Sequence, residues 1–123
     1  MSKYLVIGAN AFSGQDFVDL LLDNPANKVI GASRSPERSS LFLKYKSHNN
    51  ISNYKYYQLD MNLNMGELIA LIEAEKPEFI VNFAAQSEVA PSWEHPEHWF
   101  QTNAVALSML INFLRKQSFL KRY

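Results

Sequence analysis

The chain has no cysteine, which removes disulfide frameworks, thiolate nucleophiles and cysteine metal sites and fits a reducing compartment, the cytoplasm by default. It has no excess of charge, twelve basic residues standing against twelve acidic ones. No broad field therefore favours nucleic acid or an anionic membrane, and any anion site must be local. It also lacks a long apolar run. Met1-Ser2-Lys3 leads into an apolar stretch of only about five residues, too short for a signal-peptide core or a membrane span. No internal repeat, low-complexity tract or linker divides the sequence. At 123 residues and 47% hydrophobic content, it is the size of one small domain with ample material for a core.

What is present begins at Leu5-Val6-Ile7-Gly8-Ala9-Asn10-Ala11-Phe12-Ser13-Gly14, where a short apolar run breaks into a glycine-punctuated turn and then an amphipathic helix. Gly8 would allow the sharp turn out of a strand. Gly14 would let the helix lie close to the sheet while its free backbone N–H groups face a pyrophosphate, so the expected ligand is a dinucleotide. Gly8, Ala11 and Gly14 stand three apart, unlike the commonest dinucleotide fingerprint, whose first two glycines stand two apart. Alone, the segment equally fits an ordinary strand, turn and helix.

Phe17, Val18, Leu20, Leu21 and Leu22 supply the first helix with an apolar face, and Asn24-Pro25 ends it. Lys28 to Ala32 reads as a second strand. Ser33 to Asn53 reads as loop, with a short helix around Leu41 to Tyr45, and a third strand is expected at Lys55 to Leu59. Asn64 and Glu67 have capping-box spacing ahead of Leu68, Ile69, Leu71 and Ile72, and Pro77 enforces the stop. Phe79 to Phe83 is a continuous apolar run, as a strand buried on both faces requires. After the turn residues Pro91 and Pro96, a long helix places Phe100, Ala104, Leu107, Ile111 and Leu114 on one stripe.

This order predicts an α/β fold, a parallel sheet with right-handed crossovers and helices on both faces. Strand order 3-2-1-4 would leave Phe79 to Phe83 at an edge, a hazard proteins normally avoid. Lys121-Arg122-Tyr123 reads as the start of a fifth strand, so the expectation is an incomplete sheet of about four strands.

With these elements placed, three segments resemble a known family. They are Gly8 to Gly14, with Ala11 at the usual middle glycine; Val81-Asn82-Phe83-Ala84-Ala85-Gln86-Ser87, similar to a fourth-strand motif ending in paired alanines; and Pro96 to Leu110, with Thr102-Asn103 before an apolar helix. Together they span nearly the whole chain in the right order. They resemble the N-terminal part of an extended short-chain dehydrogenase/reductase of the NAD-dependent epimerase/dehydratase type, similar to nucleotide-sugar 4,6-dehydratases. The implied domain is residues 1–123 as the N-terminal part of an NAD(P)-binding Rossmann domain.

The resemblance implies cofactor contacts at Gly8, Asn10, Ala11, Phe12, Ser13 and Gly14. It implies further ones at Asp60 and Met61, facing the adenine, at Phe83, Ala84, Ala85 and Gln86, and at Asn103, which braces the active-site region. Ser87 and Glu88 are candidate substrate contacts in the loop beside the nicotinamide and the sugar. Asp also caps its own turn, small residues also serve packing, and Asn103, near the apolar face of its helix, also fits a bond to nearby backbone.

At the end of the second strand, about twenty residues beyond the glycine motif, an acidic side chain would accept both ribose hydroxyls of NAD. Ser33 and Arg34 stand there instead. A hydroxyl and a guanidinium can hold a 2′-phosphate that a carboxylate would repel, so of NADP and NAD the pair points towards NADP. Arg34 also fits a solvated loop cation.

His48, His95 and His98 offer no metal set, because no third ligand accompanies the last two. The Tyr-rich segment Tyr45 to Tyr57 fits core and edge packing better than stacking on single-stranded nucleic acid. By resemblance, NAD(P)+ takes a hydride from a nucleotide sugar, which undergoes elimination or inversion before the hydride returns. The family's reactive Tyr-x-x-x-Lys is absent, since no Tyr here is followed four residues later by Lys. The expectation is therefore the cofactor-binding portion of a nucleotide-sugar dehydratase or epimerase, inactive alone, lacking catalytic residues and the substrate domain. The family pairs through a helix bundle, and Glu97 to Gln117 would supply part of a homodimer. The alternative is a non-catalytic NADP-sensing regulator on the same fold.

Overall fold

The first strand, β1 (Lys3–Ile7), lies between two parallel neighbours, and everything else is built outward from it. The computed structural model describes residues 2–37, 39, 41, 43–84 and 93–123. After β1 come α1 (Phe12–Leu22), β2 (Lys28–Ser33), two 3₁₀ turns (Lys44–Ser47 and Ile51–Asn53), β3 (Tyr54–Gln58), α2 (Met65–Glu75) and β4 (Phe79–Asn82). A last helical stretch comprises α3 (Pro96–Phe100), a π-helical segment (Gln101–Ala106) and α4 (Leu107–Leu114). The sheet is four-stranded and parallel, in the order β3-β2-β1-β4. This is the Rossmann-type α/β architecture expected from the sequence.

Alternation along the strands divides the core into two. Leu5, Ile7, Ile30, Ala32 and Ile80 face Leu68 and Ile72 of α2, Ala106, and Leu110 and Leu114 of α4. Val6 and Val29 face the other way, onto Val18, Leu21 and Leu22 of α1 and onto Leu43 and Tyr45. In register, Leu5 sits opposite both Ile30 and Ile80, so the first core runs unbroken across three strands.

Several local expectations shift. Leu20 is exposed, because the buried face of α1 runs through Gly14, Val18, Leu21 and Leu22. The short helix expected around Leu41 to Tyr45 is a 3₁₀ turn at Lys44–Ser47, and β3 starts one residue earlier than expected. Asn64 does cap α2, but no side-chain capping bond forms. Its Oδ1 accepts instead from the Asp60 N–H at 3.0 Å, which tightens the turn ahead of the helix. α2 ends at Glu75, with Lys76 in the left-handed region at φ 49° before Pro77.

β4 is not buried on both faces, since Ile80 alone is fully buried. α1 packs over β1 and β2, and Phe79 stacks against the ring of Tyr4, 5.0 Å away. The outer edge of β4 receives the C-terminal residues: Arg122 forms a parallel bridge with Phe79, and the Ile80 N–H donates to Arg122 O at 3.0 Å.

The long-helix stripe is also displaced. Phe100, Ala104 and Ile111 are exposed, while Ala106, Leu110 and Leu114 are buried. The packed face of α4 runs through Ala106, Leu110 and Leu114, one position before the expected Leu107 and Ile111 and so about 100° around the helix, and ahead of it the π-helical segment, with its i→i+5 bonding, interrupts the α-helical period.

Candidate functional site

β1 ends at the point where the chain's connections diverge, one neighbour (β2) reached from one side and the other (β4) from the opposite side. Such a switch point opens a crevice at the carboxyl ends of the strands. Gly8 turns the chain there at φ 83°, and a Cβ on it would come within 2.7 Å of Ala84 N and Phe83 C. A Cβ on Gly14 would overlap the carbonyl oxygen of Gly8. The glycines thus let α1 lie against the turn and let the turn lie against the end of β4. The N-cap, Ala11, provides no side-chain hydrogen bond to the helix, and no acidic residue occupies its first turn. The first N–H groups of α1 and the positive end of its dipole are therefore available to an anion.

A cavity of about 190 Å³ opens beside this turn. Of the residues singled out from the sequence, Gly8, Asn10, Ala11, Ser33, Arg34, Asp60, Met61, Phe83 and Ala84 line it. Phe12, Ser13 and Gly14 do not; Phe12 points outward and is exposed, and Gly14 is buried beneath the turn. Ala85, Gln86, Ser87, Glu88 and Pro91 lie outside the described residues. Ser35, Asn62 and Thr102 also line the cavity and were not anticipated. Local sequence held a signal for each: Ser35 follows Arg34, Asn62 stands two residues beyond Asp60 in the same turn, and Thr102 belongs to the Thr102-Asn103 motif.

A family model described as GDP-mannose 4,6 dehydratase matches residues 5–122. The chain belongs to that family. The resemblance to epimerases and dehydratases of the extended short-chain type is borne out with it. Among solved structures, the UDP-Glc/GlcNAc 4-epimerase from Campylobacter jejuni superposes with a TM-score of 0.80 at 23% identity, over 97% of this chain and 35% of that one. The dTDP-glucose 4,6-dehydratase from Bacillus anthracis, solved with NAD, gives 0.76 at 22% identity, over 99% and 36%. The UDP-glucuronic acid 4-epimerase from Bacillus cereus, solved with UDP-glucuronic acid and NAD, gives 0.73 at 23%, over 96% and 37%. These likenesses establish the fold, and the chain spans about a third of the length of those proteins. No curated protein matches by sequence.

In this dehydratase-family chain the cavity walls are tied together by polar groups. The Asn10 N–H donates to Ser33 Oγ at 3.0 Å, and Asn10 Nδ2 reaches Pro36 O and the Tyr56 hydroxyl, each at 3.0 Å. Asp60 Oδ1 accepts the Asn62 N–H at 2.8 Å, so the carboxylate does cap its own turn, through one oxygen. Asn62 Nδ2 donates to Thr102 Oγ1 at 2.8 Å. Among the described residues two buried side-chain acceptors, Asn10 Oδ1 and Asn62 Oδ1, have no hydrogen-bond partner, and both residues line the cavity. An unpaired buried acceptor costs about 1–3 kcal/mol, which a ligand bearing donors would relieve.

Asn103 is exposed and away from the apolar stripe, contrary to expectation. It lines a second, larger cavity of about 720 Å³ with Tyr4, Phe79, Val81, Asn82, Leu107 and Tyr123, on the far side of Thr102. Asn82 Nδ2 donates to the Tyr123 hydroxyl at 3.0 Å, and burial raises the Tyr123 pKa. Behind the first cavity, Tyr45 donates to Glu37 Oε2 at 2.8 Å and receives the Tyr54 hydroxyl at 3.4 Å; burial pushes both phenols up.

The histidine reading changes in one respect: Glu97 is the third group missing from the sequence pattern. His95 Nδ1 lies 3.4 Å and His98 Nε2 3.9 Å from Glu97 Oε1, and the three ligand atoms fall within 4.8 Å of one another. All three residues are exposed. They stand at the positive end of a helix, which opposes a cation.

Proposed function

We propose that this chain is the NAD(P)-binding portion of a nucleotide-sugar dehydratase or epimerase, inactive alone, the sugar chemistry depending on acid, base and substrate-binding groups in a further part of the protein. The observation that carries the reading is the uncapped N-terminus of α1 beside Gly8 and Gly14 at the switch point of the sheet. Its free N–H groups fit a pyrophosphate, and neither the Ala11 cap nor an acidic side chain in the first turn competes for them. Asp60, with one carboxylate oxygen engaged, retains the other for the adenine amino group, with Met61 backbone alongside. The orphaned acceptors of Asn10 and Asn62 suit the hydroxyl and amino donors of an adenosine.

When bound, the nicotinamide dinucleotide supplies reversible hydride transfer with the sugar. This chain's residues hold and orient it: α1 takes the diphosphate, the small Ala84 leaves room over the end of β4, and Asn103 and Thr102 brace the rim. Ser33 already accepts the Asn10 N–H, so the leaning towards NADP rests on Arg34, which lines the cavity. The NAD and UDP-sugar complexes of the similar structures favour a nucleotide-sugar substrate and a nicotinamide cofactor. Among the described residues no helix is long and apolar enough to cross a membrane, in keeping with a cytoplasmic enzyme. The exposed Val105 and Met109, four positions apart, are the candidate surface for a helix-bundle homodimer.

The test is calorimetric titration of the chain with NADP+ and NAD+, beside turnover assays with GDP-, dTDP- and UDP-sugars. Binding without turnover is expected. Failure to bind either dinucleotide would overturn the reading. Turnover by the chain alone would overturn the claim that its chemistry needs a further part, and an extended polypeptide that binds NADP+ but turns over no sugar would favour the sensor.

A further inference from the structure

The turn after β2, Ser33 to Pro36, brings Arg34 to the cavity, and each of its successive carbonyls is taken by a donor from elsewhere in the fold. Ser33 O accepts the Leu59 N–H at 2.8 Å and Arg34 O accepts Gln58 Nε2 at 3.3 Å. Ser35 O receives the Tyr56 hydroxyl in a short bond and Asn10 Nδ2 at 3.4 Å, and Pro36 O receives Asn10 Nδ2 at 3.0 Å. Tyr56 and Asn10 also meet each other, Asn10 Nδ2 lying 3.0 Å from the Tyr56 hydroxyl. The glycine turn and β3 therefore grip the Ser33–Pro36 turn from two sides, and the phenol is where the grips join.

An anion at this turn benefits in two ways. Carbonyl dipoles drawn to protein donors do not oppose negative charge beside Arg34. A guanidinium carried on a fixed backbone also loses less freedom on binding than one on a loose loop. β3 does not itself require the hydroxyl, because a phenylalanine would fill the same half-buried strand position. Burial raises the Tyr56 pKa, which keeps the phenol a donor at neutral pH.

We infer that Tyr56 is a positioning residue for cofactor choice: through Ser35 O and Asn10 it holds the turn so that Arg34 meets the ribose 2′-position, favouring a dinucleotide phosphorylated there. This rests on the cavity being the dinucleotide site. It is tested on the whole chain by titrating NADP+ and NAD+ into wild type, Tyr56→Phe and Gln58→Ala, and by measuring amide hydrogen exchange of the ligand-free proteins. Tyr56→Phe should lower the NADP+ to NAD+ affinity ratio about fivefold, the worth of one hydrogen bond, with the NAD+ affinity held within about twofold. Exchange of the Leu59 and Asn10 amides, which donate to Ser33 in the turn, should quicken without ligand. An unchanged ratio, or equal loss of both cofactors, would overturn the inference while leaving the dinucleotide reading intact. Wild type binding neither cofactor would overturn that reading and this one together. Should Tyr56→Phe fail to fold, Gln58→Ala decides: it releases Arg34 O from an exposed position, and a ratio that does not fall overturns the inference.

Discussion

Asn62 donates its side-chain amide to Thr102 Oγ1 across 2.8 Å, joining the turn after β3 to the π-helical segment forty positions later. Thr102 lines both cavities, so this bond fixes the wall between them. Thr102→Val preserves the side chain's shape and removes the acceptor, leaving Asn62, whose Oδ1 is already without a partner, with a stranded amide. The expected loss is about 1–3 kcal/mol. Denaturant unfolding of Thr102→Val, Asn62→Ala and the double variant should show coupling of about 1 kcal/mol. Additive losses would mean the bond contributes nothing.

Gly14 is a second point where a single atom decides the geometry. Its Cβ would meet the Gly8 carbonyl oxygen, which is backbone and cannot swing aside. Gly14→Ala should cost about 3 kcal/mol, the upper part of the range for overpacking, and Gly14→Val more, because a branched side chain adds a second clash. Both should lose dinucleotide binding as α1 is pushed from the turn. A folded Gly14→Val protein with wild-type cofactor affinity would remove the glycine turn from the site.

The fold was legible because its signals are local and repeat: short apolar runs for strands, Pro25 and Pro77 as helix stops, and the two spaced glycines. The first cavity was legible for a related reason, since most of its lining comes from the ends of consecutive strands. The residues that escaped notice depend on contacts remote in sequence. Thr102 lines the cavity from forty positions beyond its hydrogen-bond partner Asn62, and Tyr56 has the pattern of edge packing, its role resting on a hydroxyl placed over Ser35 O. At Phe100 and Ala104 the difference has another origin: helical periodicity assumes a constant pitch, and the π-helical segment at Gln101–Ala106 breaks it without any proline or glycine to announce the change. Ile111 lies beyond that segment, where apolar residues on both sides of α4 leave its buried face open until Leu110 and Leu114 are seen to pack.

Arg34 is exposed, so its attraction to a 2′-phosphate acts partly through solvent and should be sensitive to salt. Arg34→Ala is expected to weaken NADP+ binding about tenfold, in the range for a charge-assisted bond, and to leave NAD+ nearly unaffected. Raising ionic strength should erode the wild-type preference and not that of the variant. A clear wild-type preference for NAD+ that survives Arg34→Ala would show that the residue is only a solvated cation.

The C-terminal residues offer a pH dependence whose sign is fixed by geometry. Lys121 Nζ lies 2.7 Å from Glu78 Oε2, while the Lys121 N–H donates to Glu78 O at 2.7 Å and the Ile80 N–H donates to Arg122 O at 3.0 Å. The hydrogen bond from Lys121 lowers the Glu78 pKa in the folded protein. The pair's contribution is therefore fully present above the ordinary carboxylate pKa of about 4.3 and is lost as pH falls through the lower folded value. Because both groups meet solvent, the effect is local and salt-sensitive and should not unfold the domain. Protection of the Ile80 amide, normalised to its intrinsic exchange rate, should fall below about pH 4 while that of Leu5 on β1 holds. Glu78→Gln should lower Ile80 protection already at pH 7 and abolish the acid-dependent step, with added salt reproducing part of the loss in wild type. If Ile80 is equally protected in wild type and Glu78→Gln across this range, the ion pair does not hold Arg122 against β4, and the main-chain bonds of Glu78 and Ile80 alone do so.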